Sequence, residues 1–96
     1  MTTFIMFGKY SPMALEGASA ARTKRVEQLV DRYDGKLRAL YVILGEKDIL
    51  LIVDLPSIED AIKVSTNLTR LTGISFTTSP AISAEDFDIF AQLEKP

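Results

Sequence analysis

Few side chains in this sequence could do chemistry, and their types restrict what that chemistry can be. The 96 residues include no histidine and no cysteine. That removes thiolate nucleophiles, Cys/His zinc sites and imidazole acid–base catalysis. What remains is Lys9 and Tyr10 beside a Ser11-Pro12 turn, Arg22 and Arg25 on a helical stretch, Tyr41 inside an aliphatic run, and the segment Gly45-Glu46-Lys47-Asp48. An arginine fork can hold a carboxylate through two hydrogen bonds. A tyrosine hydroxyl can donate to a carbonyl or an oxyanion. Lys9, Arg25, Tyr41, Gly45 and Asp48 are therefore the candidate ligand-binding residues, and no residue stands out as catalytic. The 13 acidic residues show no spacing that gathers metal ligands, so neither a metal nor another cofactor is expected.

Each candidate also has a plainer reading. Gly45 and Asp48 serve a turn, since glycine supplies positive φ and an aspartate side chain bonds backbone amides. Lys9 is a solvated strand end. Tyr41 is core with its hydroxyl at the rim. Arg22 and Arg25 pair with nearby acids, the usual fate of helix charges, and Lys24, Glu27, Asp31 and Arg32 form a solvated face.

The elements that must position these groups are legible from periodicity. Thr3 to Tyr10 is a β-branched and aromatic run, read as a first strand. Pro12 opens one helical turn, as proline does at a first helical position. Arg22, Val26, Leu29, Val30 and Tyr33 make a helical stripe over about 19–33, with Gly35 placed for a C-terminal cap. Lys36 to Leu44 and Asp48 to Leu55 are strands two and three, joined by the tight segment at Gly45. Ser57 caps a second main helix, with Asp60 three residues on and a stripe of Ile58, Ala61, Ile62, Ser65, Leu68 and Leu71 that ends at Gly73. Ile74 to Ala81 is strand four. Ser83 and Asp86 repeat the capping device before Phe87, Phe90 and Leu93, an aromatic pair suited to a lid or a dimer contact. The order is β-α-β-β-α-β plus a C-terminal helix, an α+β ferredoxin-like domain spanning 1–96 with helices on one face of an antiparallel sheet.

That sheet carries too much apolar surface for one layer of helices. Side chains alternate along a strand. Strict alternation gives Leu37, Ala39, Tyr41 and Ile43 against Arg38, Leu40, Val42 and Leu44 on strand two, and Ile49, Leu51, Val53 and Leu55 against Leu50, Ile52 and Asp54 on strand three. A half-wet antiparallel sheet should alternate apolar with polar. The uncovered set predicts a homodimer paired sheet to sheet, or a larger assembly of such dimers. Strand four differs, with Ser75, Thr77 and Ser79 in a row that fits a solvated edge or a cavity wall.

Composition sets the outer bounds. Forty-seven per cent hydrophobic and 25% charged residues are ordinary for a globular domain. The net charge of −2 argues against nucleic acid or anionic membranes as partners. No apolar run approaches the roughly 20 residues of a membrane span, and Met1-Thr2-Thr3 has no basic start of a signal peptide. A soluble, cytoplasmic protein is expected.

Two resemblances sharpen this. Phe7-Gly8-Lys9-Tyr10-Ser11-Pro12, Leu15, Gly17, Arg25, Gly35-Lys36-Leu37 and Leu44-Gly45-Glu46-Lys47-Asp48-Ile49 resemble the GYD-domain family of small bacterial and archaeal proteins. The family takes its name from a Gly-x-Tyr-Asp hairpin; Gly45 and Asp48 stand in place, and Lys47 replaces the tyrosine. The resemblance implies a dimeric α/β barrel and no established activity. The Gly45-Glu46-Lys47-Asp48-Ile49-Leu50-Leu51 hairpin is also similar to the effector-sensing domain of leucine-responsive regulators, which implies a small effector at a subunit interface. With no helix-turn-helix segment in the sequence, that role would be a stand-alone sensor's. The expected function is binding or sensing a small molecule, between sheet and helices or at the subunit interface. The alternatives are a cofactor-independent enzyme of the monooxygenase or isomerase type found among such barrels, or a structural assembly protein.

Overall fold

Four serines begin the four helices, each because a hydroxyl satisfies an otherwise orphan backbone amide of the first turn. In the computed structural model, which describes residues 1–94, Ser11, Ser19, Ser57 and Ser83 accept from the amides of Ala14, Arg22, Asp60 and Asp86. Ser57 Oγ also donates to Asp60 Oδ2 at 2.8 Å, which ties the cap to the first turn by a second bond. The elements are β1 (Thr2–Lys9), α1 (Pro12–Glu16), α2 (Ala20–Arg32), β2 (Lys36–Val42), β3 (Ile49–Leu55), α3 (Ile58–Thr72), β4 (Ser75–Ala81) and α4 (Ala84–Leu93). The four strands form one antiparallel sheet in the order β2-β3-β1-β4, so the ferredoxin-like α+β fold is present. Strand β4 is an edge, and its Ser75, Thr77 and Ser79 row lies there.

Register sorts the two faces. On the helix side the cross-strand rows are Leu37–Val53–Phe4–Pro80, Leu40–Leu51–Met6–Thr78 and Val42–Ile49–Gly8–Phe76. Phe4, Met6, Leu51, Val53 and Leu55 pack there against Val26, Leu29 and Val30 of α2 and Ala61, Val64 and Leu68 of α3 to make the core.

Three expectations need correction. Strict alternation fails on β2, because the register jumps between Leu37 and Ala39. Arg38 is the extra residue of a bulge, and a bulge flips the parity of everything after it. Leu37, Leu40 and Val42 therefore share the helix face, while Ala39 and Tyr41 share the open one. The inward stripe of α3 runs through Ala61, Val64, Leu68 and Thr72. Ile58 and Ile62 point away from the core, 63% and 62% exposed. Gly35 is not a cap: α2 ends on Tyr33, Asp34 takes the positive φ of 58°, and Gly35 lies where the chain presses on Leu55 and the Asp54 carbonyl.

The open face carries two apolar rows, Tyr41–Leu50–Phe7–Thr77 and Ala39–Ile52–Ile5–Ser79, and one polar row, Lys36–Asp54–Thr3–Ala81. In the polar row Thr3 Oγ1 donates to Asp54 Oδ1 at 2.6 Å and Arg38 Nη1 to Asp54 Oδ2 at 3.0 Å. The Thr3 hydrogen bond, with help from the Arg38 charge, outweighs partial burial and holds the Asp54 carboxyl below the usual aspartate value. A carboxyl whose pKa is depressed on folding stabilises the fold above its unfolded value and loses that contribution as pH falls through the folded one. Asp54→Asn should therefore cost up to about 1 kcal/mol at pH 7. In urea melts the two proteins should converge as pH drops well below the free-aspartate value of about 3.9.

Among the described residues no helix is long and apolar enough to cross a membrane.

Candidate functional site

The start of α2 carries small side chains, and small side chains over a sheet leave space. Ala18, Ser19 and Thr23 face Leu40 and Val42 of β2 and Ile49 and Leu51 of β3 across a cavity of about 340 Å³. Thr72, Ile74 and Phe76 form its far wall. Ile74, Ile49 and Phe76 lean over Gly8, where a Cβ would stand within 2.6–2.9 Å of them; any side chain at Gly8 would push these three residues. The volume lies at the low end of the range for small-molecule pockets, roughly 300–1,000 Å³.

The lining is apolar with a polar rim. Arg22 is the one cation on it, half-buried. One guanidinium nitrogen donates to the Ala14 carbonyl, and the group stands 5.9 Å from the centre of the Tyr10 ring. An arginine has five N–H donors in a fixed fork, so this single bond leaves others to offer a ligand. Ser19 and Thr23 add hydroxyls. Each already serves the backbone, Ser19 by accepting from the Arg22 amide and Thr23 by donating to the Ser19 carbonyl. No carboxylate lines the cavity. The geometry suits an apolar body with one anionic end, held by a cation and desolvated by aliphatic walls. Among the described residues there is no cluster of acidic groups that could hold a metal ion.

The structure brings some of the candidate residues to this mouth and places others elsewhere. Asp48 Oδ2 accepts from the Tyr10 amide at 2.9 Å, and the Asp48 amide donates to the Gly8 carbonyl at 2.9 Å. Residues 43–48 are thus latched to the end of β1, directly behind the tyrosine that lines the cavity. Gly45 sits in this connection at φ 139° with open space around it, and Lys9 Nζ reaches the Glu46 carbonyl at 3.4 Å. Lys9, Gly45 and Asp48 therefore form one loop cluster, and their visible work is to hold the loop and Tyr10. Tyr41 lies on the opposite face of the sheet, 59% exposed. Arg25 lines a separate groove between α2 and α3, beside Arg32 and Arg70.

The residues that sequence reasoning undervalued are Arg22, Ser19 and Thr23. Arg22 falls on the inward stripe of α2 with Val26, Leu29 and Val30. A cation on a buried stripe was the available signal.

The GYD domain family matches residues 4–91, nearly the whole chain. This chain belongs to the GYD-domain family. No curated protein matches it in sequence. Several solved structures share the GYD domain's fold. One, described as a transcriptional regulator, superposes with a TM-score of 0.65 at 13% identity, covering 88% of this chain and 52% of its own. The leucine response regulatory protein of Mycobacterium tuberculosis gives 0.58 at 6% identity, covering 86% and 51%. An AsnC family transcriptional regulator from Agrobacterium tumefaciens gives 0.57 at 18% identity, covering 85% and 50%. The GYD domain thus spans about half the length of each of these proteins.

Proposed function

We propose that this GYD domain binds a small molecule with an apolar body and one anionic group in the cavity beneath α2, and that it works as a sensing module in a homodimer paired through the open sheet face. The observation that carries the reading is the Arg22 guanidinium at the rim of an otherwise aliphatic cavity. Apolar pockets with a few placed polar groups are how proteins hold such ligands. The regulators that share the fold add support for sensing. The loop of Lys9, Gly45 and Asp48 would report occupancy, because Asp48 is bonded to the backbone of Tyr10 at the cavity wall. Catalysis has less behind it, since no carboxylate lines the cavity to serve as a base.

Thermal unfolding and calorimetric titration with hexanoate and hexanol test the reading. Hexanoate should bind and raise the midpoint, and hexanol should do so less. Arg22→Ala should weaken hexanoate roughly 10- to 100-fold, the worth of hydrogen bonds to a charged group, and leave hexanol unchanged. The hexanol arm matters because Arg22 also ties α1 through Ala14. Equal binding of the two probes, or an unchanged hexanoate affinity in Arg22→Ala, would rule out the site.

A further inference from the structure

Helix α4 is ten residues long and buries none of them. Phe87, Ile89, Phe90 and Leu93 are 53%, 57%, 56% and 80% exposed. The Phe87 and Phe90 rings pair with each other, 6.4 Å apart at 30°, and with no other ring among the described residues. A helix this short is marginal in water on its own, where isolated helices need roughly 12–15 residues. Its apolar side therefore calls for a surface.

Its own domain does not supply one. The connector from β4 is Ile82 and Ser83 alone, with Ser83 extended at φ −66°, ψ 154°, and it carries α4 outward. The Cα radius of gyration is 14.8 Å, against roughly 12–13 Å for a compact chain of this length. The longest dimension is 53 Å beside 30 and 18 Å. The C-terminal helix is an arm.

The chain also carries an unfilled apolar groove of about 230 Å³ between α3 and the β4 edge. Ala61 and Phe76 line it with Ile58, Ile62 and Pro80. Ile58 and Ile62 stand one turn apart, outside the core stripe of α3. Pro80 has no N–H to offer an added strand, so this edge is better closed by side chains than by strand pairing.

Arm and groove are unfilled apolar surfaces of the same protein, and no residue of the arm lines its own groove. We propose that α4 of one copy docks by its Phe87/Phe90 face in the α3–β4 groove of a second copy, and the reverse, as two-fold symmetry requires. Strand β4 joins this groove to the open sheet face, since Thr78 and Pro80 face the one while Thr77 and Ser79 face the other. A partner on the open face therefore sits beside the groove. The open face alone presents about half of the roughly 20–30 residues a side of a standard interface, and the exchanged arms supply much of the rest. For its reach the exchange rests on the sheet pairing proposed above.

The chain has no cysteine, so introduced thiols report cleanly. A tagged Ile62→Cys chain mixed with an untagged Phe90→Cys chain and oxidised at micromolar concentration should yield the mixed disulfide at least 10-fold faster than a Lys24→Cys control does. Mass, read with the tag, separates it from like pairs. Sedimentation of the unoxidised mixture reads the sheet pairing separately. A dimer that forms the Ile62–Phe90 link no faster than the control overturns the arm exchange and leaves the pairing standing. An Ile62→Cys/Phe90→Cys chain that closes its disulfide within itself, at a rate independent of concentration, overturns the exchange as well.

Discussion

Ile52→Asp is expected to sediment as a single chain of 10.6 kDa at micromolar concentration, and the parent, if paired as proposed, at twice that mass. Ile52 is flanked by Ala39 and Ile5 in the middle of an apolar row on the open sheet face. Paired sheets would bury that row in both copies. An aspartate there would have to shed its water with no cation opposite in its row, at an effective cost of several kcal/mol per ion. A two-fold interface meets the substitution twice. Since about 1.4 kcal/mol is a factor of ten, the dissociation constant should rise at least about 1,000-fold. The side chain lies outside the core, so circular dichroism of the variant should match that of the parent. A parent that sediments as one chain would remove the pairing itself.

The second large effect is on folding. Gly35→Ala places a Cβ 2.4 Å from Leu55 Cδ2, 2.8 Å from the Asp54 carbonyl oxygen and 3.0 Å from Val30 Cγ1. Leu55 and Val30 are fully buried, at 0% exposure each, and the carbonyl belongs to the central strand β3, so no flexible end can move aside. Close-packed interiors transmit such a clash as backbone shift. The expected loss is at the upper end for overpacking, about 3 kcal/mol, a large share of a stability near 5–15 kcal/mol. For a domain of this size the midpoint should fall by roughly 12–24 °C. Gly45→Ala is the informative contrast. Its added Cβ meets nothing within 4 Å, so its cost is confined to the backbone strain of φ 139°, and calorimetry on the two variants separates crowding from strain.

Much of this protein was legible residue by residue. The serine caps at Ser57 and Ser83, the proline opening α1, the helix end at Gly73 and the run of apolar pairs on β1 and β3 are local chemistry, and local chemistry survives in any fold that keeps the element. The two-sided apolar character of the sheet was visible for the same reason. The resemblance at Gly45–Asp48 pointed to the right family, and the loop it marks does lie behind the cavity. The misreadings share another cause. Gly35 looked like a cap because it follows a helix, yet its role is set by Leu55, twenty positions on. Ile58 and Ile62 looked like core because their spacing is helical; Ala61, Val64 and Leu68 took the inward side, and the two isoleucines were left for something else. Arg22 looked like a surface charge, since the cavity it lines is made by residues of α2, β2, β3 and β4 together.

What the sequence determined by itself is the element order, the serine caps of α3 and α4, the absence of histidine and cysteine chemistry, and an excess of apolar surface over what one layer of helices can cover. These follow from side-chain type and from periods of 2 and 3.6 residues, which are properties of neighbours in the chain. Only the tertiary structure decided which atoms meet. The bulge at Arg38 reversed the faces of β2 and sent Tyr41 away from the cavity that Leu40 and Val42 help to line. The latch from Asp48 to the Tyr10 amide spans 38 positions. The outward course of α4 depends on two connector residues whose dihedral angles no period encodes. A bulge, a latch and a connector each change direction in space without changing composition, and so they appear only once the chain has folded.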